Sequence, residues 1–180
     1  MDNAFAWLSN LIEWFGQLIP RWVLIDPTER GIKFVWGSRV VIVEPGIVWY
    51  WPAVTRFMVH PVVRQSNNLK TQTITLKDGK TAAVGGMCVF EIKDIEAAFV
   101  HTYDTDETIR DITLSAIHDV CCILTWEEMT EQQRTGELDR KLKAEARKEL
   151  ERYGVRVLKM TLTDLAPVRV LKIVQATTTD

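Results

Sequence analysis

His118, Cys121 and Cys122 stand at i, i+3 and i+4, a spacing that on a helix could set an imidazole and two thiolates around one metal ion. Cys121 also belongs to a helix-periodic apolar series, Ile109, Ile112, Ala116, Ile117, Val120, Cys121 and Leu124, where a cysteine acts as a small buried hydrophobe. No fourth ligand stands nearby. Ser115, His118 and Asp119 have the residue types of an acyl-transfer triad, but three neighbours on one helix cannot converge as a triad must, and no oxyanion hole accompanies them. Gly85-Gly86 is too sparse to cradle a phosphate and precedes no helix. The sequence therefore predicts no catalytic residue, no cofactor, no metal site and no enzyme.

The apolar residues offer a different chemistry. Six of the seven tryptophans fall in the first 51 residues. From Asn3 to Ile19 the apolar residues Phe5, Trp7, Leu8, Leu11, Ile12, Trp14, Phe15, Leu18 and Ile19 recur at helical spacing, and Ser9, Asn10, Glu13 and Gln17 fill the other side. Asp2 stands where a signal peptide needs positive charge, and no small-residue cleavage site follows. Spanning is disfavoured as well. Seven Leu, Ile and Phe residues in this stretch supply roughly −2 to −4 kcal/mol of insertion energy, and Glu13 near the centre returns about +2.5 to +3.5. A helix lying in the interface, with Glu13 turned to water, avoids that cost. Residues 1–20 contain no Lys or Arg, so attachment would rest on apolar burial and indole anchoring, not on anionic lipid.

Composition narrows the classes further. The 180 residues suffice for one sizeable core or two small subdomains. Net charge is −2 and no basic stripe is present, which argues against nucleic acid. Three cysteines, two of them adjacent, make no disulfide framework and fit a reducing compartment.

The elements that must position these residues are mostly strands at first. Pro20 ends the first helix, and 21–25 reads as a strand followed by the Asp26-Pro27 turn. Ile32, Phe34 and Trp36 alternate with Lys33 and Val35, and Gly37-Ser38 fits a two-residue hairpin with glycine first. Strands 40–43, 47–51 and 57–64 complete a small all-β unit, with Ile47, Trp49 and Trp51 on one face. Asp78-Gly79 is the strongest hairpin signal, joining 71–77 to 80–92, and Gly85-Gly86 inside the second strand predicts a bulge. Asp104 with Glu107, and Thr125 with Glu128, predict helix N-termini. A charged helix over 137–153 has a thin Leu138, Leu142, Ala146, Leu150, Tyr153 stripe, with Glu137–Lys141 and Asp139–Lys143 as i, i+4 pairs. Gly154 fits the C′ position, and a strand returns at 155–162.

In order and spacing, several of these fragments together resemble the stomatin/prohibitin/flotillin family, also called SPFH or band 7. The residues are Pro27-Thr28-Glu29-Arg30-Gly31-Ile32, Gly37, Glu44-Pro45-Gly46-Ile47, Trp49, Pro52, Gln65 and Thr75-Leu76-Lys77-Asp78-Gly79. Phe90-Glu91-Ile92-Lys93-Asp94-Ile95-Glu96-Ala97-Ala98, Ile109-Arg110-Asp111, Gly154-Val155 and Leu162-Thr163-Asp164-Leu165-Ala166-Pro167 follow. The resemblance implies a β-rich SPFH subdomain (21–66) followed by an α/β SPFH subdomain (67–166), so that with the amphipathic membrane-associating helix (1–20) and short tail (167–180) read from the residues the chain is expected to be α+β. It also implies a membrane-attached homo-oligomer that scaffolds a membrane microdomain and regulates membrane proteases or channels, with no enzymatic activity. In the family a long helix usually follows the Leu-Thr-Asp-Leu-Ala-Pro segment. Thirteen residues follow Pro167 here, so ring contacts between globular domains are expected and a tall cage is not.

Two sets of residues follow from these expectations. Phe5, Trp7, Leu8, Leu11, Ile12, Trp14, Phe15, Leu18 and Ile19 are expected to sink into one leaflet, with Trp22, Trp49 and Trp51 at headgroup level. For Trp49 and Trp51 an ordinary sheet core is the open alternative. Arg140, Lys141 and Lys143 are expected to set the angle between neighbouring copies, or else form a solvated face. The expected location is the cytoplasmic face of a membrane. The alternative function is a soluble interaction module whose N-terminal helix docks on a partner protein.

Overall fold

The computed structural model describes residues 19–100 and 102–168. The chain is α+β, with eight strands and four helices among the described residues. The strands are β1 (Arg21–Ile25), β2 (Glu29–Val35), β3 (Arg39–Val43), β4 (Gly46–Tyr50), β5 (Thr55–Pro61), β6 (Gln65–Thr75), β7 (Thr81–Ile92) and β8 (Val155–Val168). Between β7 and β8 come α1 (Ile95–Val100), α2 (Thr105–Cys121), α3 (Trp126–Thr135), α4 (Glu137–Leu150) and a 3-10 turn, Glu151–Tyr153. Thr163 to Val168 extends β8 beyond the expected strand end at Leu162. Two compact units result. One contains the described residues through Gln65 with Glu91–Thr105 and Glu151–Arg156; the other contains Ser66–Phe90, Asp106–Leu150 and the described residues from Val157.

In the first unit β2 is the centre of a three-stranded antiparallel sheet, β3-β2-β5, and β1 pairs antiparallel with β4 in a separate ribbon. Glu29 N–H donates to Asp26 O at 3.0 Å, closing the Asp26-Pro27 turn. The β2–β3 turn differs from expectation. Trp36 and Gly37 both have positive φ (54° and 69°), and Ser38 N–H donates to Val35 O. The turn therefore centres on Trp36-Gly37 and not on Gly37-Ser38. A bond from Trp36 N–H to Val54 O (2.9 Å) holds the tryptophan backbone in that left-handed conformation.

Helix α1 was not expected from the sequence. Asp94 starts it, its Oδ1 accepting from Glu96 N–H (3.0 Å) and Ala97 N–H (3.1 Å), as an N-cap does. The helix buries Ile95 and Ala98, and Phe99 stacks on His60 with ring centroids 3.7 Å apart.

In the second unit β7 is flanked by β6 and β8. The Asp78-Gly79 turn forms as expected, with Gly79 N–H donating to Leu76 O and Leu76 N–H to Lys80 O. Burial along β7 alternates in phase through Gly85-Gly86, so no inserted residue shifts the strand and the bulge expectation is replaced by a packing role. A Cβ at Gly85 would meet Asp164 Oδ2 at 2.6 Å and Thr71 Oγ1 at 3.0 Å. Bare backbone there lets Asp164 reach Thr71 (3.3 Å). A Cβ at Gly86 would stand 3.1 Å from Thr161 O and 3.3 Å from Ile117 Cδ1, where α2 comes close.

The helices of this unit follow their local signals. Thr125 and Glu128 form a reciprocal capping box on α3, and the Thr125 donors hold the Glu128 carboxyl below its usual range. Leu138, Leu142, Ala146 and Leu150 of α4 are all fully buried. Lys141 Nζ pairs with Glu137 at 2.9 Å, which lowers the Glu137 pKa. Asp139 does not pair with Lys143; its Oδ1 accepts from Leu162 N–H (3.4 Å), which fastens α4 to β8.

Candidate membrane-facing surface

The residues with catalytic or metal-ligand chemistry do not converge. His118 is exposed while Cys121 is fully buried, so the i, i+3, i+4 set points in different directions. Ser115 Oγ bonds Asp119 (3.5 Å) rather than His118. No group of three metal-type side chains comes together among the described residues. Burial raises the thiol pKa of Cys88 to about 11, and burial with Cys122 beside it does the same for Cys121. At neutral pH one thiol, that of half-buried Cys122, should react with a maleimide in the native protein, and all three should react in denaturant. Native labelling of Cys88 or Cys121 would contradict this burial.

Apolar chemistry does converge, on the β1–β4 ribbon. Antiparallel pairing sets Trp22 opposite Trp49 and Leu24 opposite Ile47. Directly opposed residues share a face, as do residues two apart on one strand. Trp22, Leu24, Ile47 and Trp49 thus form one four-residue face, continued by Trp51 just past β4. All five are between 56% and 66% exposed. The reverse face has Val23, Val48 and Tyr50, all half-buried. Tyr50 stacks on Phe57 of β5 with centroids 5.4 Å apart, anchoring the ribbon. A ribbon buried on one side and apolar on the other is an exposed patch of the kind that marks an interaction surface.

Trp22, Trp49 and Trp51 are therefore outward-facing rather than sheet core, and Ile19 is exposed next to them. Phe5, Trp7, Leu8, Leu11, Ile12, Trp14, Phe15 and Leu18 lie outside the described residues. Leu24 escaped the sequence reading because β1 and β4 are separated by two strands, so their register had no local signal. Ile47 shares the face of Trp49 and Trp51 by alternation and meets Leu24 only through that register. Trp36, 77% exposed, sits at the β2–β3 turn and is in neither β1 nor β4. Arg140 and Lys141 are exposed on α4 and Lys143 is half-buried. Arg140 Nε donates to Gly136 O (3.3 Å), and Lys141 also bonds Gln132 (3.0 Å).

Residues 23–179 match the SPFH domain / Band 7 family. The chain belongs to that family. No curated protein matches it. Membership places this SPFH chain, in general terms, with the membrane-associated scaffold proteins of the stomatin/prohibitin type. The match starts just after Trp22, so the aromatic N-terminal stretch precedes the SPFH domain proper. No helix among the described residues is long and apolar enough to cross a membrane.

Proposed function

We propose that this SPFH protein is a non-enzymatic scaffold that attaches to one membrane leaflet from the cytoplasmic side and assembles laterally with copies of itself. The observation that supports attachment most is the exposed Trp22/Leu24/Ile47/Trp49 face. It directly follows a stretch whose own apolar residues recur at helical spacing. Indoles and aliphatic side chains on one ribbon face suit the boundary between headgroups and acyl chains. The clients of such a scaffold would be membrane proteins, proteases or channels among them. Flotation of the purified chain with phospholipid vesicles tests this. The intact chain should rise with the vesicles, and a chain lacking residues 1–20 should bind more weakly. A chain that stays at the bottom with every composition is not membrane-attached, and the soluble partner-docking module becomes the better reading.

Assembly has its own support in charge. Arg140 and Lys141 are exposed on α4, with Lys141 also paired to Glu137, while Asp111 and Asp119 are exposed at helical spacing along α2. A basic ridge on one copy meeting an acidic ridge on the next is a heterologous contact, the type that closes rings. Reversing charge at Arg140, Lys141 and Lys143 together should shrink the assembly on native sizing and leave the melting temperature nearly unchanged. An unchanged size would leave α4 as a solvated surface.

A further inference from the structure

Lys33 is a half-buried cation on β2. It alternates with fully buried Ile32 and shares a face of β2 with Gly31, against which Phe57 and Ile25 are crowded. Its cross-strand neighbours are Val41 and Phe57. The half-buried side chain lines an open recess of about 450 Å³, walled by Pro20, Trp49, Tyr50, Trp51 and Thr55. No carboxylate lines this recess, and Lys33 makes no ion pair or hydrogen bond among the described residues. A cation beside low-dielectric aromatic walls, with no carboxylate next to it, leaves a charge that an anion can neutralise.

We propose that this recess takes the phosphate of an anionic lipid headgroup, with Lys33 as the cation that meets it. The inference rests on the membrane attachment proposed above and adds a headgroup preference that the N-terminal stretch, devoid of Lys and Arg, does not supply. Two observations favour a lipid over a free anion. Trp49 and Trp51 belong both to the ribbon's exposed apolar face and to the wall of the recess, so hydrocarbon contact and anion contact are adjacent. Lys33 also shares the recess with three aromatic side chains, Trp49, Tyr50 and Trp51, which can cover its aliphatic stem as that of an interfacial lysine is covered.

The test compares binding of the full chain to phosphatidylcholine vesicles with and without phosphatidylglycerol, at constant ionic strength. The wild type should bind the phosphatidylglycerol vesicles about fivefold more tightly, the effect of one cation near an anionic surface. Lys33→Met, which keeps an apolar stem, should bind both compositions equally and retain the phosphatidylcholine affinity. Lys33→Arg should keep the preference, and serves if the methionine variant fails to fold. Lys70→Gln, which removes an exposed lysine of the other unit, should change nothing. A preference that survives Lys33→Met, or is lost equally in Lys70→Gln, overturns the inference, because general surface charge then explains it. A wild type indifferent to headgroup charge overturns it too. If excess inorganic phosphate abolishes the preference where equimolar chloride does not, the recess is a free-phosphate site and the lipid assignment falls. A wild type that binds no vesicle at all refutes the attachment itself, an outcome distinct from binding without preference.

Discussion

Replacing Trp22 and Trp49 together with serine should weaken vesicle binding by about tenfold to a hundredfold while leaving the fold intact. The two indoles are cross-strand partners, each more than half exposed. Full burial of a large apolar side chain is worth about 1.5–3 kcal/mol. An indole half sunk at an interface gains about half of that, so two such losses come to about 1.5–3 kcal/mol, or roughly one to two factors of ten. Far-ultraviolet circular dichroism and the unfolding midpoint should be unchanged, because surface substitutions away from packed features usually cost under about 0.5 kcal/mol. Wild-type affinity in the double variant would remove the ribbon from the membrane contact. A large fall in the melting point would mean that the ribbon face is structural.

Gly154→Ala should have the largest effect on stability, with no effect expected at the membrane. Gly154 has φ 67° directly after the 3-10 turn that ends α4. Its carbonyl accepts two bonds, from Lys93 N–H (2.8 Å) and Asp94 N–H (3.1 Å), which fixes the backbone at the start of α1. An added Cβ would lie 2.4 Å from Asp94 O and 2.7 Å from Asp94 Cβ, both parts of that same anchored segment. Neither partner can yield without breaking the two hydrogen bonds. The left-handed backbone costs alanine about 1 kcal/mol and the forced overlap about 1–3 more, so a loss of about 3 kcal/mol is expected. That is a sizeable part of the 5–15 kcal/mol typical of a folded domain. Urea denaturation measures it as a lower midpoint, and a shift worth less than about 1 kcal/mol would contradict the tight approach of Gly154 to Asp94.

Features set by neighbours in sequence were legible before any coordinates. The Thr125/Glu128 box, the Asp78-Gly79 turn and the buried Leu138, Leu142, Ala146, Leu150 stripe each depend on residues within a few positions of one another. Features set by distant partners were not. Gly85 and Gly86 suggested a bulge because nothing local revealed that Asp164 and Thr161 would lie over them. The β1–β4 pairing joins segments more than twenty residues apart, and without it Leu24 is one more apolar strand residue and Trp22 has no partner. Helix α1 is too short for periodicity to distinguish, and only the two backbone bonds accepted by Asp94 reveal why it begins there. Lys33 shows the same limit. Alternation in sequence grouped it with Val35 but did not say which side of β2 would be covered.

The most direct test of the attachment is the quenching of intrinsic tryptophan fluorescence by vesicles whose acyl chains are brominated near the headgroup end. Bromine quenches only indoles that come into contact with it, so the readout is insertion and not mere proximity of the protein. With Trp22, Trp49 and Trp51 at the interface, emission should fall and shift to the blue on adding brominated vesicles, and shift without falling on adding unbrominated ones. Emission identical to that of the free protein in both cases would show that the ribbon face never reaches lipid.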